Sequence, residues 1–179
     1  MAASNESGVI WITGLSGAGK STLALEVVKG LRAQGRSIVM LDGDELRELF
    51  GAVTSTAMNH GREGRLALAM RYASLCRLIA SQGVTVVLST ISLFREIHAW
   101  NRENLPGYFE VYLKVPIEEL RLRDPKGIYQ RFDAGELSNV AGLDVAIDEP
   151  ETSDYVAEYV PGKPVSEVAE QVLCRFLKA

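Results

Sequence analysis

Eight consecutive residues constrain this chain more than any others. Gly14-Leu15-Ser16-Gly17-Ala18-Gly19-Lys20-Ser21 completes the pattern Gly-x-x-x-x-Gly-Lys-Ser/Thr, which works only between a strand and a helix. Both flanks are legible. Gly8 to Thr13 is a short β-branched apolar run, and Ser21 to Gln34 carries apolar residues at helical spacing until Gly35 stops it. In such a loop the glycines let backbone N–H groups turn inward around a polyphosphate, while the helix aims its positive end at the same anion. Gly14, Ser16, Gly17, Ala18, Gly19 and Thr22 are the expected cradle. Lys20 is expected to reach the β- and γ-phosphates and the Ser21 hydroxyl to coordinate Mg²⁺. A tight turn with an exposed lysine is the bland alternative, and its context argues against it. The site is therefore read as one for ATP or GTP.

The same alternation continues along the chain. Ser37 to Leu41 reads as a second strand, Gly64 to Gln82 as a long helix, and Val84 to Ser89 as a strand apolar enough to lie inside a parallel sheet. In the long helix Leu66, Met70, Ala73, Arg77 and Ala80 are placed near one stripe, with Leu75, Leu78 and Ile79 beside it. Glu96 to Glu103 follows as a helix, Tyr108 to Lys114 as the fourth strand, and Pro116-Ile117 opens a charged helix to about Arg123. Asp154 to Tyr159 is a short fifth strand and Val165 to Leu177 a terminal amphipathic helix. Strands alternating with helices predict the α/β class, a five-stranded parallel sheet with helices on both faces. The stretch from about 124 to 152, with Gly127, Gly135, Gly142, Pro125 and Pro150 among charges, is too long and irregular for an ordinary connection and is expected to be a mobile lid.

The class of nucleotide protein follows from what accompanies the loop. An Asn-Lys-x-Asp base-reading motif is missing, and the one Asp-x-x-Gly, Asp124 to Gly127, lies in the expected lid, so a GTPase is disfavoured. A small kinase needs an acceptor pocket past the second strand and a basic lid. Leu41-Asp42-Gly43-Asp44 puts two carboxylates at the carboxyl edge of the sheet, where ligands of such folds bind. One can orient or deprotonate a hydroxyl while the other serves Mg²⁺. Asp44 is also read as the N-cap of a helix over Glu45 to Phe50.

Gly14 to Thr22, Leu41-Asp42-Gly43-Asp44-x-x-Arg47, Ile91-Ser92-x-x-Arg95, Arg123-Asp124-Pro125-Lys126-Gly127-Ile128-Tyr129 and Ala134-Gly135-Glu136 together resemble the adenylylsulfate kinase family over nearly the whole chain. The resemblance implies a nucleoside-monophosphate-kinase-like fold, usually dimeric. It also implies transfer of the ATP γ-phosphoryl group to the 3′-hydroxyl of adenosine 5′-phosphosulfate, a step of sulfate assimilation. By the same resemblance Lys20 and Ser21 serve ATP and Mg²⁺, with Arg123 also assigned to the nucleotide. Asp44 or Asp42 takes the attacking hydroxyl, Asp42 sharing the metal with Ser21. Arg47, Arg65, Ile91, Ser92, Arg95 and Lys126 meet the acceptor. Ser92 matches a serine sometimes described in that family as a phosphoenzyme intermediate, but in-line transfer needs none.

Several positions depart from the family pattern. The acceptor adenine is usually held between two phenylalanines, and these positions are His60 and Val140 here. Ser138 replaces a lid lysine, Leu68 an asparagine, and Leu93-Phe94 a Pro-Tyr pair. Stacking on an aromatic is worth about 1 to 3 kcal/mol per base in single-strand binders, so losing two such faces should change acceptor choice. A cytidine-linked acceptor such as cytidine diphosphoramidate is the alternative, with Asn139 and His60 as candidate hydrogen-bonding groups for a smaller base. A non-catalytic ATP-binding regulator is a third class, and the retained Lys20, Ser21, Asp42 and Asp44 speak against it.

Composition narrows partners. A net charge of −4 from 19 Lys+Arg and 23 Asp+Glu argues against nucleic-acid polymers and anionic membranes as partners, leaving a small-molecule nucleotide acceptor and a homodimer. With 179 residues, one kinase domain over 1–179 is expected, in the cytoplasm, since no leader or membrane segment is legible. Cys76 and Cys174 are read as core residues rather than a disulfide or metal pair, and His98 as a surface helix residue.

Overall fold

The computed structural model describes residues 7–51 and 61–178. Its centre is Val9–Thr13 (β1), in which every residue is buried. Thr85–Thr90 (β3) pairs with one edge of β1 and Tyr108–Lys114 (β4) with the other, both parallel, while Ile38–Asp42 (β2) adds to β3 and Tyr155–Glu158 (β5) to β4. The five-stranded order is β2-β3-β1-β4-β5. Strand order therefore reverses at β1, and the crevice beyond its carboxyl end is where such sheets bind ligands.

Alternation along β1 divides the core. Ile10 and Ile12 face one side, packed with Leu23, Val27 and Leu31 of Lys20–Ala33 (α1) and with Ala169 and Val172 of Val165–Phe176 (α7). Val9 and Trp11 face the other, against Arg62–Ala80 (α3), Arg95–Asn104 (α4) and Leu46 of Gly43–Gly51 (α2). Two short helices, Ile117–Arg123 (α5) and Ile128–Asp133 (α6), follow β4. The expected sheet and its helical layers are thus present.

Three local expectations are corrected. The buried face of α3 is Ala69, Tyr72, Ala73, Cys76 and Ala80, so Ala73 and Ala80 lie where expected while Leu66, Met70, Leu75 and Ile79 are only half-buried against it and Leu78 is 59% exposed. Large side chains misled the stripe, because α3 lies close to the sheet and small residues allow that approach. Cys76 is buried as expected, but Cys174 is exposed, since the inner face of α7 belongs to Ala169 and Val172. His98 is not a surface residue. Its Nδ1 lies 2.7 Å from the Oε1 of Glu110, itself 2% exposed, and Tyr108 Oη donates to the same oxygen at 2.7 Å. A carboxylate buried in β4 demands such donors, and α4 supplies one. Among the described residues no helix is long and apolar enough to cross a membrane.

Candidate active site

The phosphate loop connects β1 to α1 in backbone that only glycine tolerates. Gly14 has φ +151°, and a Cβ there would lie 2.7 Å from the Leu113 carbonyl oxygen; Gly17 and Gly19 have φ +79° and +93°. The Lys20 ammonium folds back to donate to the Leu15 carbonyl at 2.8 Å. Its burial, with Lys126 nearby, lowers its pKa to about 8 against the pull of Asp44 and Asp42. A cation held at this cost stands ready for a polyanion that would raise its pKa again.

Asp42 ends β2 opposite Ser89 of β3. Its Oδ2 accepts from Ser21 Oγ at 2.6 Å and from Ser89 Oγ at 2.7 Å, and its Oδ1 from the Asp44 amide at 2.9 Å. Burial alone would raise this carboxyl; the three donors outweigh it and hold the pKa below the ordinary range. The helix-capping role expected of Asp44 belongs instead to Asp42, because α2 begins two residues earlier, at Gly43. Asp44 is thereby left free to project into the crevice. Its carboxylate is 56% exposed, ion-paired with Lys126 and 3.9 Å from Arg47.

Lys126 reaches Asp44 from a turn braced at both ends. Asp124 accepts the amides of Ile128 at 2.8 Å and Gln130 at 2.9 Å, capping α6, and the buried Tyr129 donates its hydroxyl to the Ser16 carbonyl at 2.9 Å. The first part of the expected lid is therefore fastened to the phosphate loop.

Other acceptor candidates gather around the same opening. Ser92 is 7% exposed with φ +24°, and its Oγ lies 2.9 Å from Thr90 Oγ1. The carbonyl of Ile91 accepts from Thr13 Oγ1. Arg65 donates to the Asn139 carbonyl, and burial together with Arg47 lowers its pKa. Asn139 sits at φ +62°; its amide donates to Asp144 Oδ2 at 2.7 Å and that of Val140 to Oδ1 at 2.5 Å. Val140 is 6% exposed. Arg95 turns elsewhere, its guanidinium 78% exposed and 3.7 Å from Glu151. His60 lies outside the described residues.

On the other side of the phosphate loop is a cavity of about 270 Å³ bounded by Ala18, Gly19, Thr22, Arg123, Tyr159 and Gly162. The Arg123 guanidinium lies 4.8 Å over the Tyr159 ring, with Nε donating to Glu119 at 2.8 Å. Its aromatic and cationic lining beside the loop could take a nucleotide base. Ser89 and Tyr159 were not singled out in the sequence. The signal for each was a polar or aromatic residue at the carboxyl end of a strand.

The family model described as adenylylsulphate kinase matches residues 6–158. A cytidine diphosphoramidate kinase of Campylobacter jejuni is 37% identical over 147 residues, 82% of this chain and 84% of that protein. A probable adenylyl-sulfate kinase of Bacillus subtilis is 32% identical over 176 residues, 97% and 86% of the two chains. Among solved structures, the Mycobacterium tuberculosis APS kinase CysC in complex with AMPPNP and APS superposes with a TM-score of 0.85 at 30% identity, covering 97% of this chain and 99% of that one.

Proposed function

Because the chain belongs to the adenylylsulfate kinase family, we propose that it transfers the γ-phosphoryl group of ATP to the ribose 3′-hydroxyl of an anionic, 5′-substituted nucleotide. One observation carries this reading. A phosphate loop with Lys20 and Ser21 shares one crevice with a half-exposed carboxylate, Asp44, that faces Arg47 and Lys126.

In this reading the adenine of ATP enters the cavity beside Arg123 and Tyr159, and the phosphates follow the loop amides to Lys20. The pair of hard oxygen donors Ser21 Oγ and Asp42 Oδ2 fits Mg²⁺, which is commonly held by one or two carboxylates plus substrate phosphates and water. When bound, Mg²⁺ neutralises charge on the β- and γ-phosphate oxygens. Asp44 accepts the proton of the acceptor hydroxyl. The hydroxyl oxygen bonds to the γ-phosphorus, the bond from that phosphorus to the β–γ bridging oxygen breaks, and ADP leaves with the electron pair. Asp42, whose oxygens already accept three donors, is the organiser and not the base. Ser92 contacts the acceptor, its Oγ buried beside Thr90 Oγ1, since in-line transfer needs no phosphoenzyme.

The acceptor itself has two candidates. Adenosine 5′-phosphosulfate is the family's. A cytidine-linked acceptor, of the kind named for the C. jejuni relative, is favoured by Val140. That side chain is buried and its amide is tied to Asp144, so this lid position offers no aromatic plane to a purine. Turnover over KM measured for adenosine 5′-phosphosulfate, cytidine diphosphoramidate and plain nucleoside diphosphates tests the choice. The expected order puts the cytidine compound first, with Val140→Phe and Ser138→Lys raising the use of adenosine 5′-phosphosulfate. Efficient use of that compound by the unmodified protein, with no gain from either substitution, would return the acceptor to adenosine 5′-phosphosulfate.

A further inference from the structure

The corner that carries both aspartates is gripped from two sides. On the β3 side, a Cβ added to Gly43 would lie 2.9 Å from Thr90 Oγ1, 3.0 Å from Thr90 Cβ and 3.1 Å from the Ser89 carbonyl oxygen, so the backbone lies flush against that strand. On the α3 side stands Tyr72. It is 2% exposed, packed within the apolar cluster that includes Leu46 and Ala69, with its ring 6.1 Å from Phe50.

A tyrosine buried among such neighbours must place its hydroxyl against a polar partner. The Tyr72 hydroxyl donates to the Gly43 carbonyl at 3.1 Å. Its single proton is thereby used on the backbone just before Asp44. Burial, opposed by Arg47 and reinforced by Asp44 and Asp42, pushes this phenol up to about 12, so it remains a donor throughout the ordinary pH range.

We infer that Tyr72 is a positioning residue for phosphoryl transfer, setting the direction of the Asp44 carboxylate through the Gly43 carbonyl. It touches neither substrate. The inference rests on the kinase reading above and adds to it a residue from the third helix that none of the phosphate or lid motifs contains. The physical reason such a residue matters is that a base displaced by about 1 Å from its line of approach can lose up to about a hundredfold in rate.

The test removes one oxygen atom. Tyr72→Phe keeps the ring against Phe50 and Leu46, and at a temperature well below its unfolding its kcat for the acceptor is expected to fall about tenfold while KM for ATP stays within about twofold. Gly43→Ala presses on the same corner from the Thr90 side and should give the same split between kcat and KM. Tyr72→Phe combined with Asp44→Asn should be no slower than Asp44→Asn alone, because the hydroxyl acts through that carboxylate. Unchanged kcat in Tyr72→Phe overturns the inference and leaves the kinase reading standing, and so does a full additional loss in the double variant. Absence of turnover by the unmodified protein on every nucleotide acceptor overturns the kinase reading itself, and the inference with it.

Discussion

The donor and acceptor sides of the crevice are built on different principles. On the donor side the phosphate-binding groups come from strand ends or the first turn of the helix after them: Gly14 against Leu113, Ser21 and Ser89 on Asp42, Lys20 on Leu15. The sheet register holds these groups, so they cannot shift without moving the core. On the acceptor side, Asn139 and Val140 hang on Asp144 within an irregular segment, and Arg65 reaches them from another helix. Here position depends on a few hydrogen bonds between loops. A fold built this way can keep its phosphate chemistry while the residues that meet the acceptor base change, and the acceptor proposed above places that division at Val140 and Ser138.

The sharpest way to break the comparison is at Lys20. Lys20→Ala should lower turnover about a thousandfold or more, comparable with removing a donor to developing charge in other sites, with the fold unchanged by circular dichroism. The same group makes the donor side pH-sensitive. With its pKa lowered to about 8, the free protein loses this positive charge as pH rises through that value. Turnover over KM for ATP should therefore decline above about pH 8, and ATP binding in that range should take up protons, read by calorimetry in buffers of different ionisation enthalpy. Wild-type turnover in Lys20→Ala, or no proton uptake, would place the phosphate contact elsewhere.

Asp44 lies where the two sides meet. Asp44→Asn preserves shape and removes charge, so turnover should fall at least about a hundredfold, the lower range for loss of a general base. A change confined to KM would make Asp44 a binding residue and return Asp42 as the candidate base.

The smallest effect sharpens the division within the lid. Residues 124–133 are docked on the phosphate loop through Tyr129 and capped by Asp124, so their amides should already be protected from hydrogen exchange in the free protein. Residues 134–152 should gain protection only with ATP and acceptor together. Uniform protection of both parts, unchanged by ligand, would remove the lid from the mechanism.

Much of this was legible in the chain. The glycine spacing from Gly14 to Gly19, followed by Lys20-Ser21, and the apolar run of Val84 to Leu88 dictate a loop at the end of a buried strand, because local sterics and burial leave few alternatives. The pair Asp42 and Asp44 was legible as chemistry but not as a division of labour. Only folding brings Ser89 and Ser21 onto Asp42 and leaves Asp44 to the crevice. Tyr72 and His98 were not legible as polar partners at all, since their contacts, Gly43 and Glu110, lie on other elements. Sequence by itself determined which residues are able to bind phosphate and accept a proton, through backbone freedom and side-chain type. Tertiary structure alone decided which oxygens are satisfied and which remain free, because hydrogen-bond partners far apart in the chain meet only when the strands take their register.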